Sequence, residues 1–524
     1  MPSILHGAPL NVAASSSTEN IDKKEDESFI NRKLDDFGKD SSHLLALSDS
    51  VKDEKVQALS KELGLNHKKL MWKIDLCVVP PFCLLYFLAF LDRVNISNAK
   101  IYHMESDLGL HGEQFNIALT AFFIPYVIFE VLSNYMLKII KPHIWLGCMI
   151  FLFGIVTICM AYSHSFGGLL TCRLLLGIFE AGSFPSIFYI MANFYTTNES
   201  QRRFSIFFSC TCLAGGCAGA IAYRLNNLNG EHGLASWQWI YIVEGAITAG
   251  LSILLYFIVP DFPEEARFLN QTERKFLKDK LEIYSGKSGF EVKQNWHDVA
   301  KVLKEPLVYV ASVAYFSLIV PAYSYAYFAP SIIKEMGYTA LSAQAHSIYP
   351  WLASLGFSII LAFIADHTKL RSPYAIASAL IAIAGLVMVY AGKDNVNVKY
   401  GGCFLVALGL YSCMPVLICW MSLNFTGHIR KSIGTAFVIG FGNIGGIVSS
   451  FIFPNNEAPR YKKGLGICLG FTALSIFGML IYQCVLMHYT SRKKSVTYCE
   501  KWEKLSEREK IMKGDLNPDF RYQY

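Results

Sequence analysis

Long apolar runs separated by short polar segments occupy the chain from Ile74 to Met487. A bilayer core is roughly 30 Å thick, and a helix needs about 20 apolar residues to cross it. The pattern therefore predicts an all-α membrane protein with twelve transmembrane helices. The predicted spans cover residues 74–97, 115–137, 144–163, 166–191, 204–225, 239–259, 305–329, 340–365, 373–392, 399–422, 432–454 and 464–488.

Composition supports a lipid environment. Of the 524 residues, 53% are hydrophobic and 17% are charged, whereas soluble proteins have about 25% charged residues. The net charge of +6 includes no basic block interleaved with aromatic residues, so we expect the lipid bilayer and not a nucleic acid as partner. Most of the 14 cysteines lie inside apolar spans, without metal or disulfide spacing, and we predict neither a metal nor another cofactor.

Polar segments divide the chain into five parts. Residues 1–66 lack the apolar core of a signal peptide and predict a retained, largely disordered tail. A charged loop at 260–304 separates six-helix bundles at 67–259 and 305–489, and a tail follows at 490–524.

Basic residues flank the first and the last span. The positive-inside rule therefore places both tails and the central loop in the cytoplasm, although the short loops carry equal numbers of basic residues on the two sides. The flanking residues are Lys68, Lys69 and Lys73, and Arg492, Lys493 and Lys494.

The two blocks of six spans share a small-residue motif. Span five contains Gly215-x-x-x-Gly219, and span eleven contains Gly442-x-x-x-Gly446. Such spacing allows close helix packing, and these helices could also rock against the opposite half. The layout is that of major facilitator transporters, whose solute site lies between the halves.

Few ionisable residues lie inside the spans, and each is a functional candidate because a charge in a bilayer is costly. Span one has Asp92 and Arg93, which point about 100° apart around a helix, and span four has Arg173 and Glu180. Arg173 and Glu130 of span two could instead form a structural salt-bridge network that ties helices together.

Arginine keeps its charge and offers a planar fork of donors that suits a substrate carboxylate. Burial favours the protonated form of a carboxylic acid, and a nearby arginine favours its ionised form. Arg93 with Glu180 or Asp92 therefore supplies the parts of a proton-coupled importer of an organic anion.

Polar and aromatic residues in the second half could line a cavity that binds a ring. They are Tyr323, Tyr325 and Tyr327 in span seven, Trp420 in span ten and Asn443 in span eleven. Aromatic residues also form interfacial belts, which is the competing interpretation. For Glu244, near the outer end of span six, we expect a structural partner.

Ordered motifs from about Lys69 onward resemble the fungal allantoate permease family, among the anion:cation symporters of the major facilitator superfamily, and most of all the nicotinic acid permeases. The motifs are Leu-Asp-Arg-Val-Asn-Ile-Ser-Asn-Ala (91–99), Arg-x-x-x-Gly-x-x-Glu-Ala-Gly-x-x-Pro (173–185), Trp-Gln-Trp-Ile-Tyr-Ile-Val-Glu-Gly (237–245), Arg-Ser-Pro-Tyr (371–374), Asn-x-x-Gly-His (424–428), Gly-Asn-Ile-Gly-Gly (442–446) and Ala-Pro-Arg-Tyr (458–461).

The resemblance implies roles for individual residues. Arg93 would bind the substrate carboxylate, and Asp92 and Glu180 would take part in proton coupling. Tyr126, Trp420 and Asn443 would line the substrate cavity.

The family's inner loops match only in part. The loop after span two, residues 133–142, lacks the acid and arginines usual in major facilitators. Its counterpart after span eight keeps Asp366, Lys369 and Arg371, which we predict to form a gating loop.

The leading hypothesis is uptake of a small monocarboxylate, nicotinate first, driven by protons. Pantothenate, biotin, allantoate or a small peptide are the alternatives, and a non-transporting nutrient receptor is a competing class. An enzyme is disfavoured, because the sequence has no nucleophile-base pair, phosphate loop or metal motif. We expect a monomer in the plasma membrane, with an internal membrane as the alternative.

Overall fold

The protein is all-α in a computed structural model. The structure describes residues 49–285, 300, 302–368, 370–392, 395–425, 428–454, 457, 460–493 and 522–523. Its long helices form two blocks, as the apolar pattern predicted. Helix α1, Asp49–Glu62, precedes the first block.

The first block contains the first six predicted spans. Its helices are α2 (His67–Ile101), α3 (Gln114–Ile139), α4 (Pro142–Ala161), α5 (Phe166–Glu180), α6 (Ser183–Phe194), α7 (Thr197–Leu225) and α8 (Ser236–Ile258). Helices α5 and α6 together form the fourth span.

The second block contains the other six spans. Helix α9 (Gln271–Ser285) lies between the blocks in sequence, and the block itself consists of α10 (Pro306–Glu335), α11 (Ala340–Thr368), α12 (Ser372–Ala391), α13 (Val396–Asn424), α14 (His428–Ser449) and α15 (Lys462–Lys493).

Within the described chain, ten helical segments are long and apolar enough to cross a membrane. The shorter apolar stretches Gln114–Glu130 and Ile433–Ser449 lie in α3 and α14, at predicted spans two and eleven. Each predicted span therefore corresponds to one helix of the structure, except the fourth, which corresponds to α5 and α6. Several helices extend beyond the predicted bounds because their polar ends continue outside the apolar core.

The fourth span is interrupted, which the sequence prediction of one continuous helix over 166–191 did not foresee. Helix α5 ends at Glu180 and α6 begins at Ser183. A Cβ atom on Gly182 would lie 1.5 Å from the Ser133 hydroxyl, so only glycine allows this approach to α3. The interruption lies next to Glu180, one of the candidate site residues.

The two glycine motifs pack helices of opposite halves against each other. On α7, a Cβ atom at Gly215 would lie 2.5 Å from the ring of Trp351 in α11. On α14, a Cβ atom at Gly446 would lie 2.2 Å from the ring of Phe123 in α3. Because glycine has no side chain, the two halves can come into contact at these positions, which confirms the predicted close packing.

Part of the chain that the sequence predicted to be a disordered tail or a loop is helical. Helix α1 packs on α9, and the Tyr284 hydroxyl of α9 donates a hydrogen bond to Asp53. Helix α9 is also held to the first block, since Lys280 pairs with Glu199 at 2.6 Å. Residues 49–62 of the predicted tail are therefore helical, and the tail up to residue 48 lies outside the described residues.

Candidate functional site

Arg93 lies at the boundary between the two blocks. Its side chain, on α2, is 5% exposed, and its guanidinium donates hydrogen bonds to Glu180 at the end of α5 and to the Tyr323 hydroxyl of α10. The Arg93 Cζ atom lies 5.1 Å from the ring centre of Phe122 and 5.3 Å from that of Tyr126. Arg93 therefore has an acid on one side and aromatic faces around it.

A narrow cavity lies beside Arg93, and the empty space in and around it, open solvent included, amounts to about 420 Å³. Helices of both blocks supply its lining, which includes Asn443 and Met414. Seven further lining residues are aromatic: Tyr86, Phe90, Tyr126, Phe184, Tyr315, Tyr323 and Tyr411. The cavity thus combines one cation with flat apolar walls.

Several of these aromatic residues were not identified from the sequence, although helix periodicity could have revealed three. Phe90 and Tyr86 stand three and seven residues before Arg93, on the same face of α2. Phe184 stands four residues after Glu180. Tyr315 and Tyr411 are far from any charged residue of their spans, so only the packing of α10 and α13 brings them to the site.

Asp92 faces away from the cavity into the interior of the first block. It lies near Arg173 and Thr157, and Arg173 in turn donates to the Tyr241 hydroxyl at 3.5 Å. Glu244 lies in the same interior, and neither of its carboxylate oxygens has a hydrogen-bond partner. The structure therefore separates Asp92 and Arg173 from Arg93 and Glu180, as the 100° offset along α2 predicts.

Glu130 and Asn443 meet across the two blocks. Glu130 on α3 lies next to the Asn443 amide on α14, and the side chains are 4% and 6% exposed. Asn443 lines the cavity, as the resemblance implied, whereas Glu130 lies behind it. The sequence predicts a structural network for Glu130. In the structure Glu130 contacts Asn443, which lines the cavity.

Trp420 is not in the cavity, which corrects its assignment as a cavity-lining residue. Its indole Nε1 donates to the Gln523 carbonyl at 2.8 Å, and Asn424 donates to the same oxygen at 3.0 Å. Trp420 lies one turn before the end of α13 at Asn424 and is not among the residues that line the cavity beside Arg93. It instead binds the C-terminal residues to the second block.

The predicted gating loop after α11 is described in part. Asp366 is half-buried near Arg371 and Arg202, and Arg371 donates a hydrogen bond to the Gln523 side chain. Lys369 lies outside the described residues. Arg371 thus contacts the C-terminal residues as well as approaching the acid of its own loop.

Metal chemistry finds no support in the described part of the chain, where no three His, Cys, Asp or Glu side chains form a possible metal-binding group. The arrangement instead suits the binding of a flat anion. Arg93 can hold a carboxylate, Glu180 can exchange a proton, and the tyrosines can stack on a ring.

Comparison with known proteins identifies the family of the chain. Residues 82–450 match the family model described as Major Facilitator Superfamily. The chain is 31% identical to the MFS transporter prlL of a fungal species, over 82% of this chain and 87% of that protein. It is 28% identical to the high-affinity nicotinic acid transporter of Saccharomyces cerevisiae, over 99% of this chain and 97% of that protein.

A solved structure shows the same fold. The proton:xylose symporter XylE bound to 6-bromo-6-deoxy-D-glucose superposes with a TM-score of 0.63 and 14% sequence identity. The match covers 79% of this chain and 95% of that protein. It extends over both helical blocks and supports the twelve-span arrangement.

Proposed function

The chain belongs to the Major Facilitator Superfamily and is a multi-pass membrane transporter, not an enzyme, and from this premise we propose that it imports a small organic anion together with a proton. The observation that carries the proposal is the position of Arg93, buried between the blocks and bonded to both Glu180 and Tyr323.

Charge balance explains why anion and proton would move together. In the described state the Arg93 guanidinium is neutralised by the Glu180 carboxylate. A bound carboxylate would leave this buried centre with an excess negative charge, which is costly at low dielectric. Protonation of Glu180 removes the excess and frees Arg93 to hold the substrate. One proton per monocarboxylate therefore keeps the centre neutral at each step.

The cavity walls favour a flat ring on that carboxylate, because aromatic faces stack on planar groups at little entropic cost. Nicotinate is our first candidate, since the Saccharomyces cerevisiae relative is a nicotinic acid transporter. Pantothenate, biotin, allantoate and small peptides are the alternatives within the same class. The ordered motifs resemble those of the allantoate permease family, and we propose this narrower membership too.

Movement would follow the two-block layout. We assign the bundles to residues 67–259 and 305–489, with cytoplasmic segments at 1–66, 260–304 and 490–524. Alternating access would open the cavity to one side and then the other as the bundles rock about the glycine contacts. The hydrogen bond from Arg93 to Tyr323 joins the bundles across the site. Substrate binding at Arg93 would therefore change the relative position of the bundles. We further propose a monomer located in the plasma membrane.

Uptake of a radiolabelled carboxylate panel by cells that lack their own permeases tests this function, with and without a protonophore. We expect accumulation of nicotinate that the protonophore abolishes. Uptake of neutral solutes but of no organic anion would refute the proposal. A nutrient receptor would bind a carboxylate without transporting it, so accumulation inside the cell also separates these two classes.

A further inference from the structure

The cavity has a second polar end besides Arg93. Asn443 lines the cavity from α14, is 6% exposed, and its Nδ2 atom lies beside Glu130 but outside normal hydrogen-bond geometry. Glu130 is 4% exposed, and its Oε2 atom has no hydrogen-bond partner. A Cβ atom on Gly440 would lie 3.6 Å from both Glu130 oxygens, so the backbone of α14 packs closely on this acid.

The two polar ends are separated along α3. Tyr126, whose ring lies 5.3 Å from the Arg93 Cζ atom, precedes Glu130 by four residues, or about 6 Å of helix rise. Aromatic residues line the cavity together with Arg93 and Asn443. Because Arg93 and Asn443 line the same cavity, a ring that places its carboxylate on Arg93 can reach Asn443.

Unpartnered polar atoms are unusual at such burial, and a buried N–H group left without an acceptor destabilises the fold. The Asn443 amide nitrogen carries two hydrogens. The Glu130 carboxylate beside it can accept one of them and so orient the amide, which leaves the second hydrogen for a group inside the cavity.

We propose that Asn443, oriented by Glu130, donates a hydrogen bond to a ring atom of the substrate remote from its carboxylate. The substrate class is then a heteroaromatic monocarboxylate with an acceptor nitrogen in the ring. This proposal rests on the carboxylate site at Arg93 given under the proposed function. Glu130 is a positioning residue, because it acts through Asn443.

Competition for nicotinate uptake tests the proposal. Benzoate has the same shape but lacks the ring nitrogen, and picolinate has its nitrogen next to the carboxylate. We expect both to compete about tenfold less well than unlabelled nicotinate, the factor that corresponds to one hydrogen bond. Equal competition by benzoate and nicotinate would overturn the proposal.

Variants of Asn443 and Glu130 test whether these residues cause the preference for a ring nitrogen. Asn443→Leu, which keeps the approximate size but has no N–H donor, should raise the KM for nicotinate about tenfold and leave the inhibition constant of benzoate unchanged. Glu130→Gln should weaken the preference for nicotinate over benzoate without abolishing uptake. Met414→Leu, at another position of the cavity wall, is the matched control and should change both ligands alike.

The outcomes separate this proposal from the one on which it rests. Carboxylate uptake that requires Arg93 but ignores the ring nitrogen would overturn the role of Asn443 alone. A complete lack of carboxylate uptake by the wild type would overturn both. Equal loss of nicotinate and benzoate binding in a stably folded Asn443→Leu protein would show that the amide is structural, and melting curves in detergent establish that folding.

Discussion

Arg93 in α2 donates a hydrogen bond to the hydroxyl of Tyr323 in α10, and this bond crosses from the first block of six spans to the second. The same guanidinium donates to Glu180 within the first block. A ligand that displaces Glu180 would therefore alter the charge balance at Arg93, and a ligand that displaces Tyr323 would alter the contact between the halves.

The fork of Arg93 should matter beyond its charge. Arg93→Lys keeps the positive charge but cannot make two parallel hydrogen bonds to a carboxylate. We expect kcat/KM for nicotinate uptake to fall about 10- to 100-fold, the loss of one charge-assisted hydrogen bond. Uptake kinetics in permease-deficient cells measure this. Arg224→Lys, an exposed arginine at the end of α7, is the control, and near-normal transport by Arg93→Lys would move the carboxylate site elsewhere.

Glu180 should couple transport to protons. Glu180→Gln keeps the size of the side chain but can neither neutralise Arg93 nor exchange a proton. Net uptake should lose its dependence on the pH gradient, whereas counterflow exchange of labelled for unlabelled substrate should persist. Proteoliposomes with imposed gradients allow both measurements. An unchanged pH dependence would point to Asp92, or to transport without protons.

Tyr323 should position Arg93 from the opposite block. Tyr323→Phe removes the hydroxyl but keeps the ring that packs against Phe123 and Tyr327. We expect a five- to tenfold rise in KM, which corresponds to about 1 kcal/mol for one hydrogen bond. Tyr325→Phe, two positions along α10 and about 200° around it from Tyr323, serves as the matched control. Equal kinetics of the two variants would show that the hydroxyl of Tyr323 is dispensable.

The ion pair between Lys280 and Glu199 should stabilise the contact of α9 with the first block. Lys280→Met would leave Glu199, whose side chain is 24% exposed, without its cation. We expect a loss of about 1–3 kcal/mol in stability, read as a lower melting temperature in detergent. Lys278→Met, at an exposed position of the same helix, should have no such effect.

The same pair predicts how acid affects stability. Burial works to raise the pKa of Glu199, but Lys280, the Thr196 backbone N–H and Arg203 together outweigh burial and lower that pKa below its ordinary value of 4.5. A lowered carboxyl pKa contributes stability above pH 4.5 that is lost as the pH falls through the folded-state pKa. Burial also lowers the pKa of Lys280, yet that group titrates far above the acid range. Melting of Lys280→Met should therefore depend less on pH below 4.5 than melting of the wild type.

Trp420 should act on the C-terminal residues and not on the substrate. Trp420→Phe keeps a ring against Tyr482 but removes the donor to the Gln523 carbonyl. The KM for nicotinate should stay unchanged, while thermal stability falls by about 0.5–1.5 kcal/mol. A raised KM with an unchanged melting temperature would show that Trp420 acts on the substrate.

Periodicity and apolar length predicted much of the site as well as the fold. The interval of one residue between Asp92 and Arg93 correctly placed them on different faces of α2. The position of Arg93 in an apolar span indicated a functional residue from the sequence alone. The interruption of the fourth span at Gly182 was not predictable, because it depends on how closely Ser133 of another helix approaches.

The sequence by itself determined that the chain crosses a membrane, about where its spans lie, and which few charges lie at membrane depth. These properties depend on apolar length and local spacing, which neighbouring residues along the chain are sufficient to set. Only the tertiary structure decided that Arg93 meets Tyr323, that Asn443 meets Glu130, and that Trp420 binds the C-terminal residues. Those contacts join residues 230, 313 and 103 positions apart, and helix packing, not helix periodicity, brings such distant positions together.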